Sequence, residues 1–283
     1  MIIIRHALEL KEYLDSSRKE NKKIGFVPTM GALHNGHRSL IDASRRLTDV
    51  TVCSIFVNPA QFNDPRDYEK YPQTVERDIQ FLQEAEADLL FLPSLGEIYP
   101  TGILNLELYQ LGHLENILEG QYRPGHFQGV CQVMSRLLML VKPDKLFMGQ
   151  KDYQQCMVIR RLLKLMQLNR RILFQVCPTV READGLAMSS RNLRLNEVER
   201  KKAVAISQVL EFVKEGLKTG ELTRLEIEAS TMLAAKGFKV DYFEIARADT
   251  FELVNEWDGK TKLIALTAAF LNQVRLIDNM MLN

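Results

Sequence analysis

Residues 24–37 read IGFVPTMGALHNGH, and this stretch decides the fold of the first part of the chain. Ile24 to Val27 is a short β-rich run. Gly31 and Gly36 lie in the loop after it, and helical periodicity follows from Arg38 to Leu47. A strand, a glycine turn and a helix in this order are typical of a parallel α/β sheet. We therefore predict that the loop lies at the carboxyl end of a strand, where such sheets bind ligands.

The same alternation of β-rich runs and helical periods extends from Ile2 to about Pro178. The further predicted strands are the N-terminal MIII run, Val50 to Val57, Asp88 to Leu92, Leu146 to Met148 and Ile172 to Val176. The further predicted helices are one centred on Val75 to Ala85, one from Val130 to Val141 and one from Gln154 to Met166. This order predicts a parallel sheet with crossover helices on both faces.

The pattern changes beyond Arg191. Two charged helices, Glu197 to Lys218 and Arg224 to Lys236, precede three β-rich runs that end near Leu282. Helices followed by strands predict a smaller α+β domain. We place the boundary near Thr179, which gives domains at 1–178 and 179–283.

The composition favours small-molecule partners. Thirty-seven Lys and Arg balance thirty-six Asp and Glu, so the formal charge of +1 indicates no nucleic-acid surface. No apolar run approaches the roughly 20 residues that span a bilayer. The four cysteines form no C-x-x-C pair, which fits a reduced, cytoplasmic protein without membrane contact.

The histidine loop carries the strongest chemical signal. His34 and His37 lie three positions apart, so both rings can donate hydrogen bonds to charge growing on a phosphate. Gly31 and Gly36 permit close approach of the backbone, and the helix start offers unpaired N–H groups to phosphate. Two alternatives stay open: a simple turn with exposed histidines, and a zinc site, although the zincin spacing and glutamate are missing.

Two further loops could bind phosphate. Gly149-Gln150-Lys151-Asp152 follows a predicted strand, and its lysine is a mobile cation; the alternative is a solvated lysine paired with Asp152. Met188-Ser189-Ser190-Arg191 ends a charged loop, and its hydroxyls and guanidinium can hold phosphate oxygens; the alternative is a helix N-cap. A charged loop at a domain junction also suits a lid.

Two glutamines could hold a hydroxy acid. Gln61 follows the strand that ends at Val57, and Gln155 begins the helix after the lysine loop. Neutral amides can bind a hydroxyl and a carboxylate without adding charge. Ordinary surface glutamine is the alternative for each, and His126 in the RPGHF segment could either line a site or cap a helix.

Five segments in order, PTMGALHNGH, FVNPAQF, RPGHFQGV, GQKDYQQ and PTVREADGLAMSSRN, resemble the pantothenate synthetase (pantoate β-alanine ligase) family. The resemblance implies a Rossmann-like nucleotidyltransferase fold with an H-x-G-H signature. It also implies the reaction: pantoate and ATP give pantoyl adenylate and pyrophosphate, and β-alanine then displaces AMP. Mg²⁺ is expected with ATP, without identified protein ligands, and the family forms homodimers through the N-terminal domain.

The resemblance also implies the site residues. The ATP contacts are Met30, Gly31, Ala32, Leu33, His34, Asn35, Gly36, His37, Gly149, Gln150, Lys151, Asp152, Val180, Met188, Ser189, Ser190 and Arg191. Gln61 and Gln155 match the pantoate positions, and Gln61 also borders the β-alanine site. We expect His37, His34, Lys151, Ser189 and Arg191 to be catalytic. Gln150 stands where many members carry Glu, and we expect little consequence.

Two competing hypotheses remain open. An RNA-directed member of the same superfamily would be expected to carry a basic surface, which the near-neutral charge argues against. A zinc hydrolase would use His34, His37 and His126 as metal ligands.

Overall fold

The chain forms two compact units in a computed structural model that describes residues 1–104 and 106–283. The first unit comprises Met1–Gly149 and Gln154–Pro178, and the second comprises Gln150–Tyr153 and Thr179–Asn283. The main division falls between Pro178 and Thr179. The grouping of the short Gln150–Tyr153 segment with the second unit is not visible in the sequence pattern.

The first unit alternates strands and helices. In chain order its elements are β1 (Ile2–Ile4), α1 (Ala7–Lys19), β2 (Ile24–Thr29), α2 (Asn35–Leu47), β3 (Val50–Ile55), α3 (Pro65–Glu69), α4 (Val75–Glu84), β4 (Leu89–Phe91), α5 (Leu95–Ile98), α6 (Glu119–Tyr122), α7 (His126–Val141), β5 (Lys145–Gly149), α8 (Tyr153–Leu165) and β6 (Leu173–Cys177). Short 3₁₀ turns cover Pro59–Gln61 and Gly112–Glu115, and a third, Gln150–Asp152, belongs to the second unit. No helix in the described ranges is both long and apolar enough to cross a bilayer.

The six strands form one parallel sheet in the order β1-β4-β3-β2-β5-β6. All residues of β3 and β4 are buried, because helices flank the sheet and leave neither face of these strands to water. From β2 the chain proceeds to β3 on one side, whereas β5 lies on the other side. This reversal puts the switch point, where α/β sheets bind ligands, beside the carboxyl end of β2. The predicted parallel sheet is therefore confirmed.

The helix after β2 begins earlier than its sequence pattern indicates. It starts at Asn35, with His34 as the N-cap, and not at Arg38. Its buried residues Leu40, Ile41 and Ala43 pack into the core between the sheet and α4. The start was missed because histidine is not among the usual N-cap residues. The histidine motif therefore lies in the first turn of the helix itself.

The second unit is the predicted smaller α+β domain. Besides the segment at Gln150–Tyr153, its elements are α9 (Glu197–Ala203), α10 (Ala205–Glu215), β7 (Gly220–Glu221), α11 (Thr223–Ala235), β8 (Lys239–Arg247), β9 (Glu256–Trp257), β10 (Leu263–Leu271) and β11 (Val274–Met281). An antiparallel sheet has the order β11-β10-β8, and β7 pairs with β9. The single helix expected from Glu197 to Lys218 is two helices joined at Val204. The unit has its own apolar core, which includes Ile206, Leu210 and Ile245.

Candidate active site

The turn after β2 is supported by the neighbouring strand. Gly31 and Ala32 have φ angles of +82° and +49°, a left-handed region that glycine adopts at little cost and alanine does not. The Gly31 N–H donates to Oγ1 of Thr29 at 3.2 Å, and that hydroxyl donates to the Ser54 carbonyl of β3 at 2.7 Å. The turn is thus tied to the sheet before the histidines are reached.

The other side of the turn is held by Asp78 of α4. Its carboxylate is 1% exposed and accepts the backbone N–H groups of Ala32 at 2.9 Å and Leu33 at 2.8 Å. The Thr74 hydroxyl donates to the same carboxylate at 3.1 Å. Hydrogen bonds to an ionised acceptor are stronger than neutral ones, and they offset the cost of burying the charge.

His34 and His37 form a reciprocal capping box at the start of α2. Nδ1 of His34 accepts the Gly36 N–H at 3.1 Å, and Nδ1 of His37 accepts the His34 N–H at 3.3 Å. The ring centroids are 4.1 Å apart and the planes are tilted by 42°. Because both Nδ1 atoms are acceptors, each neutral ring carries its proton on Nε2. The pair therefore has the tautomers that would let both rings donate through Nε2.

The backbone of the loop contributes less than the sequence suggested. The N–H groups of Gly31, Ala32, Leu33, His34, Gly36 and His37 all have acceptors within the first unit. The interpretation that this helix start offers unpaired N–H groups to phosphate is therefore wrong for Gly36 and His37, because the N-cap satisfies them. The turn acts as a scaffold for two imidazoles.

Gln61 lies in a buried polar cluster beside the loop. It is 8% exposed, and its Nε2 atom is 2.7 Å from the Met30 sulfur. Asn58 donates from Nδ2 to the Gly129 carbonyl at 3.0 Å and to Oε1 of Gln61 at 3.4 Å. The Tyr99 hydroxyl donates to Oδ1 of Asn58 at 3.0 Å. Gln61 is thus an ordered amide, and the surface-glutamine alternative fails for it.

His126 supports this cluster from α7. Its Nδ1 lies 2.8 Å from the Gln61 carbonyl oxygen, so Nδ1 carries the donating proton. Nε2 faces the Arg123 guanidinium at 3.1 Å and accepts from it. Both ring nitrogens are therefore used within the protein. The cap interpretation of His126 is wrong, because Gly125 is the N-cap of α7 and His126 is the first residue of that helix, and in this arrangement His126 is not a zinc ligand.

Two adjacent glutamines on α8 have different environments. Gln154 is buried, and its amide bonds the carbonyls of Leu114 and Ile117 and the N–H of Glu119. Gln155 is only partly buried. Gln154 therefore fixes the segment before α7, whereas Gln155 is the more accessible of the two amides.

The lysine loop follows β5, which ends at Gly149, and the loop itself packs within the second unit. Asn279 of β11 donates from Nδ2 to the carbonyls of Gln150 at 3.0 Å and Lys151 at 2.8 Å. Gln150 donates in return to Oδ1 of Asn279 at 3.3 Å. The Lys151 ammonium is 3.9 Å from the Asp152 carboxylate, which is too long for a strong pair. The alternative of a lysine paired with Asp152 is thus present as a long ion pair.

The segment with Val180 and Met188 is a short hairpin in the second unit. Met188 N–H donates to the Val180 carbonyl at 3.0 Å, and Arg181 pairs with Ala187. Arg181 donates two hydrogen bonds to the buried Asp278, at 2.6 and 3.1 Å. Burial raises the pKa of Asp278, and the ion pair with Arg181 opposes that rise. Arg181 thus anchors the hairpin through β11.

Ser189, Ser190 and Arg191 begin a 3₁₀ turn directly after the hairpin. Oγ of Ser189 accepts the Arg191 N–H at 3.2 Å, so the N-cap interpretation is correct for this serine. A hydroxyl that accepts one hydrogen bond can still donate another. Ser190 is buried and Arg191 is partly buried. Capping therefore does not exclude the expected role of Ser189 with phosphate.

Comparison with known proteins identifies the family. The sequence profile described as Pantoate-beta-alanine ligase matches residues 2–281. The chain belongs to the pantoate-beta-alanine ligase family. It is 42% identical to the pantothenate synthetase of Cytophaga hutchinsonii, over 100% of this chain and 99% of that protein. It is also 42% identical to that of Caldicellulosiruptor bescii, over 99% of this chain and 98% of that protein.

Solved structures of pantothenate synthetases share this fold. That from Thermus thermophilus has a TM-score of 0.90 at 38% identity, covering 100% of this chain and 99% of that one. The enzyme from Francisella tularensis, complexed with beta-gamma ATP and beta-alanine, has a TM-score of 0.84 at 39% identity. The match covers 100% of this chain and 98% of that one. This family member is therefore a ligase, and its Rossmann-like architecture is confirmed.

Sequence reasoning missed three buried polar residues of the ligase: Asn58, Asp78 and Asn279. Asp78 gave a usable signal, because it lies on the apolar stripe of α4, between Val75 and Leu82. Asn58 follows the fully buried β3 strand in a similar way. Asn279 gave none, since its partners in the lysine loop lie 128 and 129 positions away.

The ligase presents no ready-made cation site in its described ranges. No group of three or more His, Cys, Asp or Glu residues there is arranged to hold a metal ion. The zinc-hydrolase hypothesis therefore lacks a ligand set. Mg²⁺ prefers phosphate oxygens and water with one or two carboxylates, a mode that needs no protein cage.

Proposed function

We propose that this family member condenses pantoate with β-alanine through a pantoyl adenylate, releasing pyrophosphate and then AMP. The single observation that carries the proposal is the capping box, which gives both His34 and His37 a proton on Nε2 at the sheet's switch point. The complex of the Francisella tularensis relative with beta-gamma ATP and beta-alanine supports the choice of substrates.

In the first step the pantoate carboxylate attacks the α-phosphorus of ATP. Negative charge then grows on the phosphoryl oxygens and on the departing pyrophosphate, so fixed N–H donors lower the barrier. We assign this role to His37 and His34, with His37 closest to the leaving group. Neutral imidazoles that are already oriented need no reorganisation as the charge develops.

The remaining expected contacts are part of the same proposal. Lys151, Ser189 and Arg191 supply further donors, and the other ATP contacts named from the resemblance are retained, from Met30 to His37, from Gly149 to Asp152, Val180, Met188 and Ser190. The N–H groups of Ala32 and Leu33 are used by Asp78, so these two residues contact ATP through other atoms. Mg²⁺ is proposed to bind mainly through the phosphates.

The two glutamines are proposed to hold pantoate. The ordered Gln61 amide can bind the acid's carboxylate or hydroxyl, and Gln61 also borders the β-alanine site in this proposal. Gln155 is proposed to contribute the second amide. Neutral amides orient the acid without withdrawing charge from the attacking carboxylate.

In the second step the β-alanine amine attacks the carbonyl of the adenylate and AMP leaves. The activated carbonyl needs no protein nucleophile. The thiols agree with this scheme, because burial raises the pKa of Cys53 and Cys131 to about 12 and keeps them protonated.

Exchange of labelled pyrophosphate into ATP tests the first step. We expect exchange that requires pantoate, and a loss of at least about 10²-fold when His37→Ala or Lys151→Ala is introduced. His6→Ala is the matched control, because that histidine is exposed on the surface and should leave exchange unchanged. Exchange that ran equally well without pantoate would refute the proposal.

The assembly and location remain part of the proposal as well. We propose a cytoplasmic homodimer, with residues 179–283 acting as a lid and with no nucleic-acid partner. Light scattering of the purified chain tests the dimer, and salt-sensitive tRNA binding would revive the RNA-directed alternative.

A further inference from the structure

We propose that Asp78 is a positioning residue, which sets the geometry of the His34 and His37 rings without touching substrate. The inference deepens the proposed function, on which it rests, because it assigns a purpose to the turn before the histidines. Its evidence is the set of hydrogen bonds between α4 and the loop after β2.

The Asp78 carboxylate is placed directly beneath the turn. Each oxygen accepts one backbone N–H, Oδ2 from Ala32 and Oδ1 from Leu33. A Cβ atom added to Gly31 would lie 3.0 Å from Oδ2 of Asp78 and 3.1 Å from Cγ2 of Ile55. A side chain at position 31 would therefore crowd the carboxylate, and the turn packs closely against Asp78.

The turn adopts a conformation that its sequence alone does not favour. Ala32 has a φ of +49°, which costs a residue with a Cβ atom more than it costs glycine. The charged hydrogen bond to its N–H offsets that cost. Asp78 is thus the group that selects this backbone path over the ordinary one.

The backbone path of the turn then determines the orientation of the two imidazole rings. Leu33 leads directly into His34, whose N–H must point at Nδ1 of His37 to complete the capping box. If the turn relaxes, the His34 N–H turns away, and His37 loses the bond that fixes its tautomer and orientation. Asp78 therefore acts on the reaction through backbone and imidazole.

Asp78→Asn is the informative substitution, because it keeps the shape but leaves one oxygen to serve two N–H donors. We expect kcat to fall by about tenfold or more with a change in KM for ATP of under about threefold, since small displacements of catalytic groups slow chemistry steeply. Asp78→Glu, which keeps the charge but moves it, should also lower kcat. Thr74→Val removes only the third bond to the carboxylate and should leave kcat unchanged.

The ¹⁵N spectrum of the imidazoles provides a second readout that needs no substrate. In the wild-type protein both Nδ1 atoms should show the shift of an unprotonated acceptor, and in Asp78→Asn the His37 signal should move toward the average of two tautomers. Unchanged histidine shifts in both Asp78 variants would overturn the inference. If the histidine shifts change in Asp78→Asn but the wild-type protein shows no pantoate-dependent exchange, the proposed function is refuted and the positioning role of Asp78 stands.

Discussion

The backbone N–H of His34 donates to Nδ1 of His37 at 3.3 Å, so the cap of α2 and the proposed catalytic ring are one structural device. Stability and activity should therefore separate when His37 is replaced. Glutamine is a common third residue of a capping box and can accept the same N–H. We expect His37→Gln to unfold with a free energy within about 0.5 kcal/mol of wild type, and His37→Ala to lose about 1 kcal/mol.

The two variants should differ in stability but not in activity. Both variants lack the Nε2 donor, so both should lose at least about 10²-fold in kcat. Urea denaturation and steady-state kinetics on the same preparations measure the two effects. An active His37→Gln enzyme would show that the ring contributes only as a cap.

Gly129 is the contact point between α7 and the 3₁₀ turn that holds Gln61. A Cβ atom at this position would lie 2.2 Å from the Ala60 carbonyl oxygen and 2.6 Å from Cα of Gln61. We expect Gly129→Ala to lower the free energy of unfolding by about 1–3 kcal/mol, because backbone must move. Since the displaced turn contains Gln61, KM for pantoate should rise several-fold.

Gly96→Ala is the matched control for this prediction. The nearest atom to its added Cβ would be Oγ of Ser94 at 3.9 Å, so the methyl group fits without movement. We expect neither stability nor KM to change in the control. A Gly129→Ala enzyme with unaltered KM for pantoate would argue against the role of Gln61.

Asn279 fixes the backbone on which Lys151 is carried. Asn279→Ala leaves the carbonyls of Gln150 and Lys151 without their donor, at a cost of about 1–3 kcal/mol. We expect kcat to fall by about tenfold, because the ammonium is no longer held in place. Asn283→Ala removes an asparagine that also bonds backbone groups, but not those of the lysine loop. If the control lost as much activity, Asn279 would be structural only.

Glu226 should make the second unit less stable at higher pH. It is buried on α11, accepts the Ile245 N–H at 2.7 Å, and burial raises its pKa from 4.5 to about 7, with Glu244 adding to the rise. A carboxyl whose pKa is raised on folding lowers stability above its unfolded value. The free energy of unfolding should therefore fall as the pH rises from about 4.5 through about 7.

Glu226→Gln keeps the acceptor for Ile245 and removes the titration. We expect it to be more stable than wild type by about 1–2 kcal/mol at pH 8, after allowance for screening by water, and equal to it near pH 4.5. Urea denaturation across this range measures the difference. Glu228→Gln removes an exposed charge from the same helix and controls for net charge. Parallel pH curves for wild type and Glu226→Gln would contradict the assignment.

The sequence predicts the periodic parts of this molecule and misses its buried polar bonds. The runs that became β2, β3 and β5 are recognisable because strands buried on both faces are continuously apolar. The link between Asp78 and the histidine turn spans 45 and 46 positions, and no local pattern encodes which N–H groups a carboxylate will meet. The sequence indicates a chemical role for His34 but not its role as the N-cap of α2, because histidine is not among the usual N-cap residues.

In the candidate site, too, the sequence predicts some residues but not their tertiary contacts. Motif order was sufficient to select Gln61, but only the structure distinguishes the buried, bonded Gln154 from its neighbour Gln155. The assignment of the lysine loop to the second unit depends on Asn279, whose position on β11 follows from sheet register. Such contacts are set by tertiary packing, which sequence periodicity does not contain.

Transfer of ¹⁸O tests the central claim, activation of an acid as its adenylate, most directly. Pantoate labelled in both carboxyl oxygens is incubated with ATP, β-alanine and the ligase, and the AMP is analysed by mass spectrometry. Because the carboxylate oxygen that attacks the α-phosphorus stays on phosphorus when the amine displaces AMP, we predict one ¹⁸O atom in each AMP. Label-free AMP, or ¹⁸O in released phosphate with ADP as the product, would contradict the account.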